Sequence, residues 1–84
     1  MADSEARIVL YGAAWCPDCK RSKKFLNEQR VSYDYVDIEQ QPEGQKIVQD
    51  YNDGKQIIPT IVFPDGSILV EPNWEELKAK FSNS

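Results

Sequence analysis

Apolar positions along the chain change period several times, and each change marks an element. Arg7-Ile8-Val9-Leu10-Tyr11 is nearly continuously apolar and predicts a strand over 7–11, of the central kind covered on both faces. Gly12-Ala13-Ala14-Trp15 is a turn. From Pro17 to Gln29 the pattern becomes helical, with Cys19, Ser22, Phe25, Leu26 and Gln29 on the inward side. Pro17 suits the first helical position, where a missing N–H costs nothing. Alternation over Val31–Ile38 predicts a second strand. Pro42 opens a second helix carrying Ile47, Val48 and Tyr51 at helical spacing. Asn52-Asp53-Gly54 ends it, with Gly54 in the left-handed position. Ile57–Phe63 reads as a third strand. Pro64-Asp65-Gly66-Ser67 is a turn that folds Ile68-Leu69-Val70 back as a hairpin. Pro72 stops that strand. Asn73 and Glu76 form a capping-box pattern for a last helix with Trp74, Leu77 and Phe81 as its apolar stripe.

The predicted order is β-α-β-α-β-β-α. Strands joined through a helix run parallel with a right-handed crossover, and the final hairpin is antiparallel. The expected fold class is therefore α/β, a four-stranded mixed sheet with helices on both faces. The 84 residues suit a single domain, with residues 1–6 as a flexible lead-in.

Composition narrows the function. The chain is 40% hydrophobic and 29% charged, which fits a globular protein rather than a disordered one. Its formal net charge of −4 argues against general nucleic-acid binding. No apolar run is long enough to cross a membrane. The N-terminus, Met1-Ala2-Asp3-Ser4-Glu5, lacks the basic and apolar regions of a secretory signal, so the expected location is the cytoplasm. There is no histidine, so proton chemistry near neutral pH falls to thiols or shifted carboxylates.

The two cysteines, Cys16 and Cys19, sit in Ala14-Trp15-Cys16-Pro17-Asp18-Cys19-Lys20, between the first strand and the first helix. In a reducing compartment such a pair is not a structural staple. A zinc site needs two further ligands, and one chain supplies neither another Cys nor a His. Two chains could share an iron–sulfur cluster with two thiolates each. A buried structural pair is a further alternative. A redox dithiol fits best, because Cys-x-x-Cys beside a βαβ pattern is the arrangement of that chemistry. Only a thiolate attacks a disulfide. Cys16, at the start of the helix, would face unpaired backbone N–H groups and the positive end of the helix dipole, which lower a thiol pKa. Cys19, one turn on, can donate its S–H to Cys16 and later attack a mixed disulfide formed there. Lys20 adds a positive field. Asp18 opposes it, so the expected depression is smaller than a neutral residue would allow.

Trp15-Cys16-Pro17-Asp18-Cys19, Ile58-Pro59-Thr60 and Pro64-Asp65-Gly66 together resemble the glutaredoxin family, which has the thioredoxin fold. Val36-Asp37-Ile38-Glu39 and Glu71-Pro72-Asn73 before Trp74-Glu75-Glu76-Leu77 resemble its mycoredoxin-like branch. The resemblance implies a thiol–disulfide oxidoreductase in which Cys16 attacks and Cys19 resolves. It implies a cis peptide before Pro59, which leaves the Ile58 backbone free to pair with an extended substrate. It implies that Trp15 flanks an exposed sulfur, against the alternative of a core tryptophan. The candidate substrate contacts are Trp15, Pro17, Ile58, Pro59, Lys55 and Gln56, the Lys55-Gln56 pair being otherwise solvated loop. No bound cofactor or metal is implied. The co-substrate is a low-molecular-weight thiol, mycothiol or glutathione. Pro72-Asn73 stands where many glutathione users have Gly-Gly, Ala13-Ala14 where they have a Lys, and Ile57-Ile58 where they have Thr-Val. These departures point towards mycothiol, or towards electrons taken directly from a thioredoxin reductase-type flavoenzyme. The implied partners are disulfide-containing or thiolated client proteins, ribonucleotide reductase among the alternatives, and the implied state is a monomer.

Overall fold

The computed structural model describes residues 8–82, so the expected lead-in at 1–6 and the start of the first strand at Arg7 lie outside the described residues. The elements are β1 (Ile8–Gly12), α1 (Pro17–Glu28), β2 (Tyr33–Asp37), α2 (Pro42–Tyr51), β3 (Thr60–Val62), β4 (Ile68–Val70) and α3 (Trp74–Ser82). The sheet order is β2-β1-β3-β4. β1 is parallel to β2, with Leu10 opposite Tyr35, and antiparallel to β3, with Leu10 opposite Ile61. β3 and β4 form the expected antiparallel hairpin. β1, with the continuous apolar run, is thus one of the two central strands.

Alternation along the strands divides the core in two. On one face Ile8, Leu10, Ile61 and Phe63 pack against Phe25 and Leu26 of α1 and Leu77 of α3. Phe25 joins the two helices, meeting Trp74 edge-on at 5.3 Å and Phe81 at 5.6 Å between ring centroids. On the other face α2 approaches so closely that a Cβ on Gly44 would lie 2.9 Å from Val36. Helices therefore cover both faces, as the pattern predicted.

Caps and turns follow their chemistry. The Asn73 side chain accepts from the Glu76 N–H at 2.8 Å, and Glu76 accepts from the Asn73 N–H at 3.0 Å, a complete capping box. Gly54 and Gly66 hold φ of 88° and 92°, where any side chain is strained. Lys80 ties α3 to the β3–β4 turn through a hydrogen bond to Ser67.

Four expectations are corrected. Gln29 is exposed rather than inward, because α1 stops at Glu28 and Gln29 serves as its C-cap. Of the α2 stripe only Val48 is buried; Ile47 and Tyr51 are 37% and 44% exposed. The close approach at Gly44 sets this, since it turns the small side of α2 to the sheet. β2 is shorter than 31–38 because the Val31 N–H bonds back to Leu26 in the turn after α1. The third strand begins at Thr60 rather than Ile57, since Pro59 has no N–H to give the ladder.

Candidate active site

β1 delivers the chain to a short turn, and α1 starts at its end. Cys16 is the N-cap of α1, in extended conformation, and Pro17 begins the helix. The Cys19 N–H donates to Cys16 Sγ at 3.2 Å, so the sulfur takes the place of a capping oxygen. The sulfur thereby takes up one of the N–H groups that a helix start leaves without a partner.

Cys19 is fully buried against the end of β1. Its neighbour there is Gly12, where an added Cβ would lie 2.6 Å from Cys19 Sγ. The absence of a side chain at Gly12 is what lets the second thiol sit against the sheet. Burial, first of all, pushes the Cys19 thiol up to about 12; hydrogen bonding to Cys16 and the charges of Cys16 and Asp18 act in the same direction, partly offset by Ala13. Cys19 is thus held as a neutral S–H. Both cysteines are free thiols.

The two differ in access. Cys16 is 5% exposed, less open than the exposed sulfur the resemblance implied, yet it lines a groove of about 390 Å³. Trp15, Pro17, Asp18, Gln56, Ile57, Ile58 and Glu71 complete the walls. Trp15 is 63% exposed, which rules out the core alternative. Its indole N–H donates to the Glu39 carboxylate, and the Glu39 N–H donates to Asp37 at 2.9 Å. That chain of contacts fixes an otherwise free aromatic wall.

The opposite wall is the segment before β3. The Ile58–Pro59 peptide is cis, and Pro59 is buried. Two braces hold this segment. The Thr60 hydroxyl donates to the Ile57 carbonyl at 2.8 Å while accepting from Asn52 at the end of α2 at 3.3 Å. From the other side the Glu71 N–H donates to the Pro59 carbonyl at 2.8 Å. Among the described residues the Ile58 N–H and C=O make no backbone hydrogen bond, so an edge faces the groove.

Of the candidate residues, the groove gathers Trp15, Cys16, Pro17, Asp18, Gln56 and Ile58. Lys55 is exposed and lies outside its walls. Lys20 lies on the outer side of α1, around a second depression with Lys23 and Lys24. Asp18 pairs with Arg21 at 2.8 Å, which partly offsets its charge. Sequence reasoning missed Gly12, Glu39, Ile57 and Glu71 as site residues. Gly12 carried a signal, a glycine closing a strand just before the dithiol. Glu39 carried none, because its contact with Trp15 spans the whole of α1 and β2. Among the described residues no group of three or more His, Cys, Asp or Glu side chains could hold a metal ion.

The glutaredoxin family pattern matches residues 8–68. A Mycobacterium tuberculosis protein named as a glutaredoxin is 40% identical over 75 residues, 89% of each chain. Mycoredoxin 1 of Corynebacterium glutamicum is 35% identical over 75 residues, covering 89% of this chain and 92% of that one. The crystal structure of a glutaredoxin from Archaeoglobus fulgidus superposes with a TM-score of 0.72 at 27% identity, over 92% of this chain and 87% of that one. With its dithiol at the helix start and its thioredoxin-type architecture, the chain belongs to the glutaredoxin family, on the mycoredoxin-like side.

Proposed function

We propose that this protein reduces protein disulfides, or mixed disulfides between proteins and small thiols, through Cys16 and Cys19. The family supports a thiol–disulfide oxidoreductase in general terms. The observation that carries the specific reading is the asymmetry of the pair. Cys16 caps the helix and opens on the groove, while Cys19 is sealed against Gly12 with its proton held.

Cys16 thiolate attacks one sulfur of the client disulfide. That S–S bond breaks, its other sulfur leaves as a thiolate and takes a proton from water, and a Cys16–client disulfide forms. Part of what raised Cys19 is then gone, because the hydrogen bond to Cys16 and the Cys16 charge both depend on a free sulfur. Burial still holds Cys19 up, but less is needed to remove its proton. Cys19 then loses its proton to water and attacks Cys16 Sγ as a thiolate, the Cys16–client bond breaks, and the client sulfur leaves as a thiolate that takes a proton back from water. Two electrons pass to the client and the pair becomes a Cys16–Cys19 disulfide. A low-molecular-weight thiol or a thioredoxin reductase-type flavoenzyme returns them.

Trp15 and the Ile58 edge orient the incoming disulfide, with Pro17 and Gln56 completing the contact surface. Lys55 and Lys20 contribute from outside the groove, through the field rather than by contact. The protein acts as a monomer in the cytoplasm, and where a small thiol supplies the electrons it is mycothiol rather than glutathione. The test supplies glutathione, mycothiol and thioredoxin reductase systems separately, at matched client disulfide. Faster turnover with mycothiol supports the reading; equal rates with all three remove the support for mycothiol.

A further inference from the structure

The groove beside Cys16 carries side-chain charge of one sign only. Among the described residues its acidic walls are Asp18 and Glu71, and no lysine or arginine lines it. Asp18 is offset by Arg21 at 2.8 Å. Glu71 is not: among the described residues its carboxylate has no ion-pair or hydrogen-bond partner, and it is exposed. Its place is fixed by its own backbone, whose N–H is bonded to the Pro59 carbonyl at 2.8 Å. Glu71 therefore sits next to the Ile58 edge, where among the described residues the backbone makes no hydrogen bond. An extended segment pairing with Ile58 would run past this carboxylate within a residue or two of its cysteine, at about 3.3 Å per residue.

Resting on the proposed function, we infer that Glu71 is a specificity-determining residue that selects client segments carrying Lys or Arg close to the cysteine under attack. A basic side chain there meets an uncompensated carboxylate, and an acidic one meets repulsion that no groove cation relieves. Charge of this kind acts mainly on encounter and on rejection of wrong partners, and salt screens it. Of the remaining groove walls, Trp15, Pro17, Ile57 and Ile58 are apolar and Gln56 is polar but uncharged, so they accept the rest of the segment without regard to charge.

The test uses the reduced full-length protein and three peptides, each with one cysteine blocked by 2-thiopyridine and flanked two residues away by Arg, Gln or Glu. Cys16 attack on the peptide sulfur releases neutral 2-thiopyridone, which is followed by absorbance. Each rate is divided by that of the same peptide with β-mercaptoethanol, which removes intrinsic reactivity. At about 20 mM salt the Arg peptide is expected to exceed the Glu peptide by about tenfold, falling to within about twofold near 0.5 M salt. Glu71→Gln reduces the low-salt ratio several-fold. Glu28→Gln makes the same change in net charge near the far end of α1, about 18 Å along the helix from Cys16, and leaves the ratio in place. Equal rates for Arg and Glu peptides overturn the inference. So does an equal effect of Glu28→Gln, which would assign the preference to the net charge of the whole protein. If even the Gln peptide reacts no faster than with a Cys16→Ser variant, the proposed function itself fails and this inference falls with it.

Discussion

Adding one methyl group at Gly12 tests how the second thiol is held. In Gly12→Ala the new Cβ would stand 2.6 Å from Cys19 Sγ, 3.1 Å from Cys19 Cβ and 3.3 Å from Leu10 Cδ2. Ordinary contact starts near 3.4 Å, so the sulfur must retreat by most of an ångström. It has little room, because Cys19 and Leu10 are both fully buried. Overpacking of this kind costs about 1–3 kcal/mol. The same shift moves Sγ from its approach to Cys16, and a misplacement of about 1 Å can slow a positioned step by about a hundredfold. Urea unfolding measures the first effect. Stopped-flow tryptophan fluorescence, following closure of Cys16–Cys19 from a mixed disulfide, measures the second. Truncating the sulfur separates the clash from other effects. In a Cys19→Ala background the stability penalty of Gly12→Ala should shrink, though Leu10 and the Cys19 Cβ keep it above zero. Wild-type stability and wild-type closure in Gly12→Ala would refute the reasoning, as would an unchanged penalty when the sulfur is absent.

Three further outcomes follow from the same structure. Because burial and the neighbouring Cys16 raise Cys19 to about 12, it stays protonated near neutral pH, so iodoacetamide under native conditions should label Cys16 and spare Cys19 until urea is added, as peptide mass mapping would show. The linked stability has a definite sign: a raised folded value favours the protonated fold, so the contribution of Cys19 is full below its ordinary value of 9.0 and is lost as pH rises towards about 12, a loss that Cys19→Ser should lack in urea titrations. Asn73→Ala removes one half of the capping box and should cost about 1 kcal/mol by urea unfolding; no change would mean that the cap does not hold α3 in place.

Much of the fold was legible because its signals are local. The continuous run in β1, the switch to helical period after Pro17, and the capping box at Asn73 each depend on neighbours in sequence. The errors arose where one element meets another. Ile47 and Tyr51 share a helical spacing with Val48, but the side of α2 that reaches the sheet is chosen by Gly44 against Val36. For the site, Cys-x-x-Cys at a helix start was visible from spacing alone. The wall contributed by Glu71 was not, because it depends on the Glu71 N–H meeting the Pro59 carbonyl across the hairpin. Nor could spacing show that Lys55 falls outside the groove while its neighbour Gln56 lines it. The glutaredoxin resemblance named the cis bond at Pro59, which hydropathy could not indicate.

The central claim is that Cys16 attacks and Cys19 resolves. It is tested most directly by trapping the intermediate. Cys19→Ser, reduced and mixed with a client disulfide, should accumulate one covalent adduct, mapped to Cys16 by intact and peptide mass, whereas the wild type passes on to a Cys16–Cys19 disulfide and free client thiol. Cys16→Ser should form no adduct under the same conditions. An adduct on Cys19 in Cys16→Ser at a comparable rate, or full release of reduced client by Cys19→Ser without added thiol, would contradict the account.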